Sequence, residues 1–164
     1  MKIAVISDTH NAEYETEEVL KFIASQNVET IIHCGDVSTV ETMELFKNFC
    51  VYLAYGNNDF DQIGLEMTVK ECKPGSRADR WYKGVLGGKL IAAVHEEHSA
   101  LFSGLLDSGQ FDYIFVGHTH RKSDRMVEKT RVINPGAIGG ARRGPRGFCI
   151  LDLETGELDD YTID

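Results

Sequence analysis

The chain of 164 residues lacks three features that would have placed it in particular classes of protein. It has no apolar run near the ~20 residues that a membrane-spanning helix needs, so no membrane partner is expected. Its four cysteines form no C-x-x-C pair, which indicates reduced thiols rather than a disulfide framework or a structural zinc site. The first residues lack the apolar core and cleavage site of a secretory signal, and a cytoplasmic location is therefore predicted.

Positive charge is also scarce. The chain has 17 Lys and Arg against 26 Asp and Glu, which gives a net charge of -9. Such a surface repels nucleic acid, so that partner is not expected unless a local cationic feature such as bound metal overrides the repulsion. The hydrophobic fraction of 42% is ordinary for a globular protein. We expect a single domain over residues 1–164 with one substantial core.

The first third of the chain predicts alternating strands and helices. Short β-branched apolar runs indicate strands at 2–7, 30–34 and 50–55, and amphipathic patterns indicate helices at 15–25 and 40–48. The order β-α-β-α-β favours a mainly parallel sheet within an α/β domain.

The rest of the chain is less regular at first. Residues 60–88 predict no long element beyond a turn at Lys73-Pro74-Gly75, and this segment is a candidate contact region of a homo-oligomer. The remaining pattern predicts a hairpin at 85–94, a helix at 99–108, strands at 113–116 and 131–133, and a final hairpin at 148–163.

Polar side chains that can bind metal follow strand after strand. Ligands of α/β sheets bind beyond the carboxyl ends of the strands, so these side chains are expected to converge. Two carboxylates, one amide and four imidazoles suit Mn, Fe, Co, Ni or Zn. Seven ligands fit two ions if one carboxylate bridges them, an arrangement used for displacement at phosphorus. The seven residues are Asp8, His10, Asp36, Asn57, His95, His118 and His120.

Five sequence blocks, in this order, resemble those of the calcineurin-like metallophosphoesterases, and most closely the small single-domain YfcE-type phosphodiesterases. The blocks are Asp8-Thr9-His10, Gly35-Asp36, Gly56-Asn57-Asn58-Asp59, His95 and Gly117-His118-Thr119-His120. A late segment, INPGA at 133–137 followed by Arg142, Arg143 and Arg146, resembles a signature of the same subgroup. The resemblance extends over nearly the whole chain and implies a four-layer αββα sandwich of two mixed β-sheets flanked by helices.

The resemblance also implies a function, which is the metal-dependent hydrolysis of a small phosphodiester by a water that two divalent ions activate. Mn²⁺ is the first choice of metal, with Ni, Zn, Fe or Co as alternatives. The expected catalytic residues are Asp36, Asn58 and His120. One ion would be held by Asp8, His10, Asp36 and His120, and the second by Asp36, Asn57, His95 and His118, so that Asp36 bridges them.

The sequence departs from the family pattern at two places. Many members carry histidine where this chain has Asn58, and an amide donates a hydrogen bond but is a poor general acid. We therefore expect dependence on good leaving groups, or a proton donor elsewhere, with His98 as a candidate. The subgroup often has His-Gly-His where this chain has His95-Glu96-Glu97-His98. The two added carboxylates could raise metal affinity or repel polyanionic substrates.

Several residues near the blocks have two interpretations. His33 is either a hydrogen-bonded core residue or a support for a ligand, and Asp59 either orients His10 or stabilises a turn. Asn134-Pro135-Gly136 is either a tight turn or a loop that faces the site. The late arginines either pair with a phosphate or lie in a solvated loop. Trp81 and Tyr82 are interpreted as core or subunit contacts rather than as a base-stacking platform.

Two alternative functions remain open from the sequence. The chain could be a non-catalytic scaffold of the same fold, although all seven ligand positions are filled, which favours an enzyme. It could also be a phosphomonoesterase or a nuclease of the same superfamily, although the negative charge disfavours long nucleic acid.

Overall fold

Two β-sheets face each other in the structure, a computed structural model that describes residues 1–141 and 144–163. In chain order the strands are β1 (Lys2–Ile6), β2 (Thr30–His33), β3 (Cys50–Ala54), β4 (Arg77–Asp79), β5 (Tyr82–Leu86), β6 (Lys89–Val94), β7 (Tyr113–Val116), β8 (Ser123–Val127), β9 (Thr130–Asn134), β10 (Arg146–Asp152) and β11 (Leu158–Ile163). The helices are α1 (Glu13–Ser25), α2 (Val40–Glu44), α3 (Gln62–Lys70) and α4 (Ala100–Asp107).

The first sheet has six strands in the order β11-β10-β1-β2-β3-β4. Strands β1 to β4 are parallel, with Val5 opposite Ile32 and Ile31 opposite Val51. The terminal hairpin of β10 and β11 adds two antiparallel strands on the other side of β1. The parallel β-α-β-α-β unit predicted for the first third of the chain is confirmed. Its three strands end at the same edge of the sheet.

The second sheet has five strands in the order β5-β6-β7-β9-β8. Its three central strands, β6, β7 and β9, are parallel, and the edge strands β5 and β8 pair antiparallel with their neighbours. The predicted hairpin of β5 and β6 turns at Gly87 and Gly88, which both have positive φ. Strands β6 and β7 therefore also end side by side.

Three separate apolar clusters show that the fold has four layers. The cluster between the sheets includes Val5, Ile32 and Phe115, which are fully buried. A second cluster packs α1, α2 and α3 on the outer face of the first sheet, where Val19, Leu20 and Ile23 form the buried stripe that the sequence predicts. A third cluster packs α4 on the second sheet through Phe102 and Leu105. The expected αββα sandwich of two mixed sheets is confirmed.

Four elements differ from the sequence prediction, and one of them is the short edge strand β4, which lies in the segment where only a turn is predicted. Helix α3 was not expected, because Ile63 and Met67 lie on its exposed face and blur the amphipathic pattern. Edge strand β8 was also not expected, because its sequence SDRMV is too polar to read as a strand. Helix α2 is shorter than predicted and ends at Glu44, because the chain then makes tighter turns such as the bond from the Phe49 N–H to the Phe46 carbonyl.

The structure bears on two expectations from composition, the state of the cysteines and the presence of a membrane-spanning helix. All four cysteines are free thiols, and Cys34, Cys72 and Cys149 are buried. Over the part of the chain that the structure describes, no helix combines the length and the apolar character needed to cross a membrane.

The inter-sheet core predicts a large difference between two phenylalanine truncations. Phe115 is fully buried, and Phe115→Ala is expected to lower the free energy of unfolding by about 3–5 kcal/mol through lost contacts and a cavity. Phe60 is 85% exposed, so Phe60→Ala serves as the control and should change stability by less than about 0.5 kcal/mol. Urea denaturation of both variants measures the difference, and equal effects would contradict the assigned core.

Candidate metal centre

All seven predicted ligands lie at one end of the sandwich, where the strands of both sheets finish. Strands β1, β2 and β3 lead into the loops that carry Asp8, His10, Asp36 and Asn57, and β6 and β7 lead into those that carry His95, His118 and His120. Five of the seven line one open cavity of about 690 Å³, and Asp8 and His95 lie buried behind them. Each sheet contributes only part of the cluster.

The first group of side chains surrounds His120. Its Nε2 lies 3.1 Å from Oδ1 of Asp8 and 3.4 Å from Nε2 of His10. The His10 Nε2 is in turn 3.9 Å from Oδ2 of Asp36. Asp8, His10 and His120 place ligand atoms close enough together to bind a single ion.

The second group surrounds Asn57. The Asn57 Oδ1 lies 3.0 Å from Nε2 of His95 and 3.0 Å from Nδ1 of His118. The His95 Nε2 is also 3.5 Å from Oδ2 of Asp36, the atom that faces the first group. Oδ2 of Asp36 thus lies between the two groups of candidate ligands, and Asp8, Asp36 and His95 also place ligand atoms close enough together to bind a single ion.

Three of the four imidazoles direct Nε2 toward the cluster and have an oxygen atom beside Nδ1, which orients the ring. Nδ1 of His95 lies 2.7 Å from the Cys34 carbonyl, and Nδ1 of His120 lies 2.8 Å from the Ala141 carbonyl. Nδ1 of His10 lies 3.4 Å from the Ser38 hydroxyl. When the hydrogen is on Nδ1, Nε2 carries a lone pair that faces the cluster. This is the tautomer that binds a metal ion through Nε2.

A buried carboxylate oxygen supports the presence of a cation. Oδ2 of Asp8 accepts hydrogen bonds from the Ser7 hydroxyl at 2.5 Å and from the His118 N–H at 3.0 Å. Oδ1 is buried without a hydrogen-bond partner among the described residues and faces the rings of His10 and His120. Nε2 of His120 lies 3.1 Å away, so Oδ1 has an imidazole neighbour but accepts no hydrogen bond from the described residues, and a divalent ion would satisfy it. The donor set therefore fits a metal.

The backbone at the site is strained. Five of the seven predicted ligands have positive φ, a conformation that non-glycine residues seldom adopt: Asp8, His10, Asp36, His118 and His120. Each such residue costs about 1–3 kcal/mol, and the surrounding structure must compensate for it. Gly117 shows how close the packing is, because a Cβ there would collide with the Ser7 hydroxyl. Strain of this kind is concentrated at functional sites.

Asp36 is held by residues of the loop after β3. The Asn58 N–H and side-chain amide donate to its two carboxylate oxygens, both at 2.7 Å. Asp59 accepts from three backbone N–H groups, those of Asp36, Gly56 and Ser38. Asp59 therefore locks the loops together and does not contact His10, so the interpretation that it orients His10 is wrong and the turn interpretation is correct.

The pKa values of two buried groups follow from this arrangement. Burial raises the pKa of Asp36, but hydrogen bonds and charge from His95, together with the Asn58 donors, outweigh it and hold the pKa well below its usual range. For His95, burial disfavours the charged ring, yet Asp36 and Asp8 raise its pKa above the usual 6.5. Asp36 and His95, whose Oδ2 and Nε2 atoms lie 3.5 Å apart, thus shift each other's pKa in opposite directions.

Two residues with open interpretations prove to support the ligand loops. His33 is fully buried: its Nδ1 accepts from the Gly35 N–H and its Nε2 lies 3.1 Å from the Thr9 hydroxyl, while burial lowers its pKa to about 3. Asn134 donates to the Gly117 carbonyl at 2.9 Å and to the Thr119 hydroxyl at 3.1 Å. Both are core residues that also fix the loops of the site.

The late arginines were predicted either to pair with a phosphate or to lie in a solvated loop, and Glu97 was predicted to lie near the site. Arg146 pairs with Glu15 at 3.5 Å instead of lining the cavity, and Arg142 and Arg143 lie outside the described residues. Glu97 pairs with Arg125 at the cavity wall. Sequence reasoning missed Arg125, because β8 was not recognised as a strand.

Comparison with known protein families identifies the family to which this site belongs. The model described as "Calcineurin-like phosphoesterase superfamily domain" matches residues 1–156. The chain belongs to the calcineurin-like phosphoesterase superfamily. Membership makes it a hydrolase that acts on phosphoester bonds, and the superfamily's use of divalent metal ions agrees with the ligand cluster.

Individual relatives within the superfamily agree with this assignment. Phosphodiesterase MJ0936 of Methanocaldococcus jannaschii is 29% identical over 166 residues, which cover 100% of both chains. The solved structure of an archaeal phosphodiesterase has a TM-score of 0.93 at 29% identity and covers 99% of this chain and 100% of that one. The phosphoesterase YfcE of E. coli shares the fold, with a TM-score of 0.70 at 18% identity over 100% of both chains.

The three-donor contact of Asp59 generates a first test of the site. An asparagine must direct its NH₂ group toward at least one of the three N–H donors, so Asp59→Asn is expected to cost about 1–3 kcal/mol of stability and to weaken metal binding. Asp61→Asn is the matched control, because Asp61 caps α3 through the Gly64 N–H and asparagine caps a helix equally well. Thermal unfolding and metal titration measure both effects, and equal behaviour of the two variants would contradict the locking role.

The raised pKa of His95 generates a second test. A histidine that binds metal must be neutral, and Asp36 and Asp8 favour the protonated form of this ring, so metal binding by His95 would have to displace a proton. Metal binding near pH 6.5 should therefore release protons, and the affinity should fall as the pH drops. Calorimetry in buffers of different ionisation enthalpy measures the release; binding without proton release would contradict the raised pKa of His95.

Proposed function

We propose that the protein is a phosphodiesterase that uses two divalent metal ions, with Mn²⁺ as the first choice. The observation that supports this most directly is the position of Asp36 Oδ2 between the rings of His10 and His95, together with the buried Oδ1 of Asp8, which accepts no hydrogen bond among the described residues. The relative from Methanocaldococcus jannaschii, a phosphodiesterase by name, supports a diester as the substrate.

Each ligand would keep the role that the sequence predicts. Asp8, His10 and His120 would hold one ion, with Asp36 shared between this ion and the second. When bound, the two ions would lower the pKa of a water that attacks phosphorus and would offset the charge of the phosphoryl oxygens. The set that would hold the second ion is completed by Asn57, His95 and His118.

Asn58 acts in this proposal through Asp36. Its amide is occupied by the carboxylate at 2.7 Å, so it fixes the shared ligand rather than serving as a proton donor. Protonation of the leaving group then depends on solvent or on His98, which lines the same cavity. The expected preference for good leaving groups follows from this arrangement.

Composition and the cavity also support proposals about the size of the substrate and the location of the protein. The open cavity and the net charge of -9 favour a small substrate over nucleic acid, and the free thiols agree with a cytoplasmic protein. We further propose that residues 1–164 form one domain, and that a homo-oligomer, if it forms, uses the segment around α3, where Phe60 and Ile63 are exposed.

The central test is the charge of Asp36. Asp36→Asn removes the carboxylate that this proposal assigns to both ions, so it should lower the turnover of bis(p-nitrophenyl) phosphate at least a hundredfold, on the order expected for the loss of such a ligand, and reduce the number of ions bound. Activity is measured after chelation and titration with Mn²⁺, and bound metal by calorimetry.

Asp107→Asn is the control for this test, because Asp107 is an exposed carboxylate at the end of α4 and the variant loses the same charge. Its activity should equal that of the wild type. If Asp36→Asn kept full turnover, the shared role of Asp36 would be wrong. If the wild type showed no turnover with any of Mn²⁺, Ni²⁺, Co²⁺ or Zn²⁺, a non-catalytic scaffold would replace the enzyme.

A further inference from the structure

One wall of the cavity carries a row of polar side chains on β8 and the residues just before it. Arg121, Ser123 and Arg125 occupy alternate positions, and all three line the cavity together with His120. Successive side chains of an extended chain point to opposite faces, so residues two apart share one face. The row therefore begins beside a candidate metal ligand and leads away from it along the wall.

The two arginines of this row differ in their partners. Nη2 of Arg125 pairs with Oε1 of Glu97 at 2.6 Å, and the Glu97 side chain is only 12% exposed. Arg121, among the residues that the structure describes, has no carboxylate partner, and its side chain is exposed. The cavity wall thus carries one compensated and one uncompensated guanidinium.

The hydroxyl between the arginines is also without a partner. Oγ of Ser123 is buried and makes no hydrogen bond within the described part of the chain. A buried hydroxyl without a partner is costly, and a ligand oxygen would remove that cost once the Ser123 side chain rotates toward the cavity, because its Oγ has almost no exposed surface in this structure. The Ser123 hydroxyl and the Arg121 guanidinium together offer the donors that an oxyanion group accepts.

The charge of the whole protein makes this row unusual. Acidic residues outnumber basic ones by 26 to 17, so a free arginine at the mouth of the site is not part of a general basic surface. The scissile phosphate has its own place at the metal ligands, which lie at the start of the row. A second anion, farther along the substrate, is the group that the row can bind.

We propose that the substrate is a phosphodiester with a second phosphate on one arm, and that Arg121 and the Ser123 hydroxyl bind that phosphate. Glu97 limits this subsite, because it keeps Arg125 neutralised. This inference rests on the proposed phosphodiesterase function. It also gives the added acidic residue a role, which is to restrict the number of negative charges that the cavity accepts.

A matched pair of substrates tests the proposal. The first is the p-nitrophenyl ester of thymidine 5′-phosphate, and the second is the same ester with a phosphate on the 3′ hydroxyl. The Mn²⁺-loaded wild type should have a higher kcat/KM for the second ester. Arg121→Gln should reduce this ratio roughly tenfold, the effect of one charge-assisted hydrogen-bonding group, and Glu97→Gln should increase it by freeing Arg125.

Lys129→Gln is the control, because Lys129 is an exposed cation in the turn between β8 and β9, beyond the far end of the row. It removes the same charge and should leave the ratio of the two kcat/KM values unchanged. An equal ratio in the wild type, Arg121→Gln and Lys129→Gln would overturn the subsite while the phosphodiesterase function stands.

Binding separates the subsite from catalysis. Calorimetry with the Mn²⁺-loaded protein should show tighter binding of thymidine 3′,5′-bisphosphate than of thymidine 5′-phosphate, and Arg121→Gln should abolish the difference. If neither ester were hydrolysed but this difference were present, the phosphodiesterase function would fail and the anion subsite would stand. If the difference were absent, the subsite would be overturned.

Discussion

The structure depends on the burial of one charged carboxylate. Asp36 is only 2% exposed, and a buried carboxylate stays ionised only where donors and positive charge surround it. Asn58 supplies two donors and His95 supplies positive charge, while Asp59 fixes the Asp36 backbone from behind. The loops after β2, β3 and β6 are therefore held together by their contacts with Asp36.

The facing of the two sheets makes this arrangement possible. Parallel strands bring their carboxyl ends to one edge, and here two such edges lie at the same end of the sandwich. The bond between the His95 ring and the Cys34 carbonyl joins the second sheet to the first directly behind the ligands. Neither sheet alone could supply all seven candidate ligands, so the position of the candidate site follows from the packing of the inter-sheet core.

The sequence predicts the parts of this protein whose signals are local. Strand ends followed by Asp8, Asp36 or His95 mark the ligands, and alternating elements mark the parallel unit. The contacts that orient the ligands could not be predicted, because the Cys34 and Ala141 carbonyls have no sequence signature and their roles arise from packing.

Residues that the sequence left open are those whose partners lie on distant elements. Glu97 pairs with Arg125, which lies on β8. Because β8 is an edge strand, its sequence is polar and does not indicate a strand, so this pair could not be predicted. Helix α3 was missed for a related reason, since its apolar residues Ile63 and Met67 face outward. Its start did carry a local signal, the Asp61 cap on the Gly64 N–H.

Strain and charge at the site point to the same functional requirement. Left-handed backbone at candidate ligands such as His10 and His120 destabilises the fold, and so does the buried Asp8 oxygen that accepts no hydrogen bond from the described residues. A cation that binds only the folded chain would recover part of that free energy. The repulsion of anions by the acidic exterior is largely screened beyond about 8 Å at physiological salt, so it acts mainly on groups that lie along the surface, whereas Arg121 acts inside the cavity. This difference in position is the physical basis for proposing a small anionic substrate: a long polyanion must lie along the repulsive surface, and a compact diester meets the arginine.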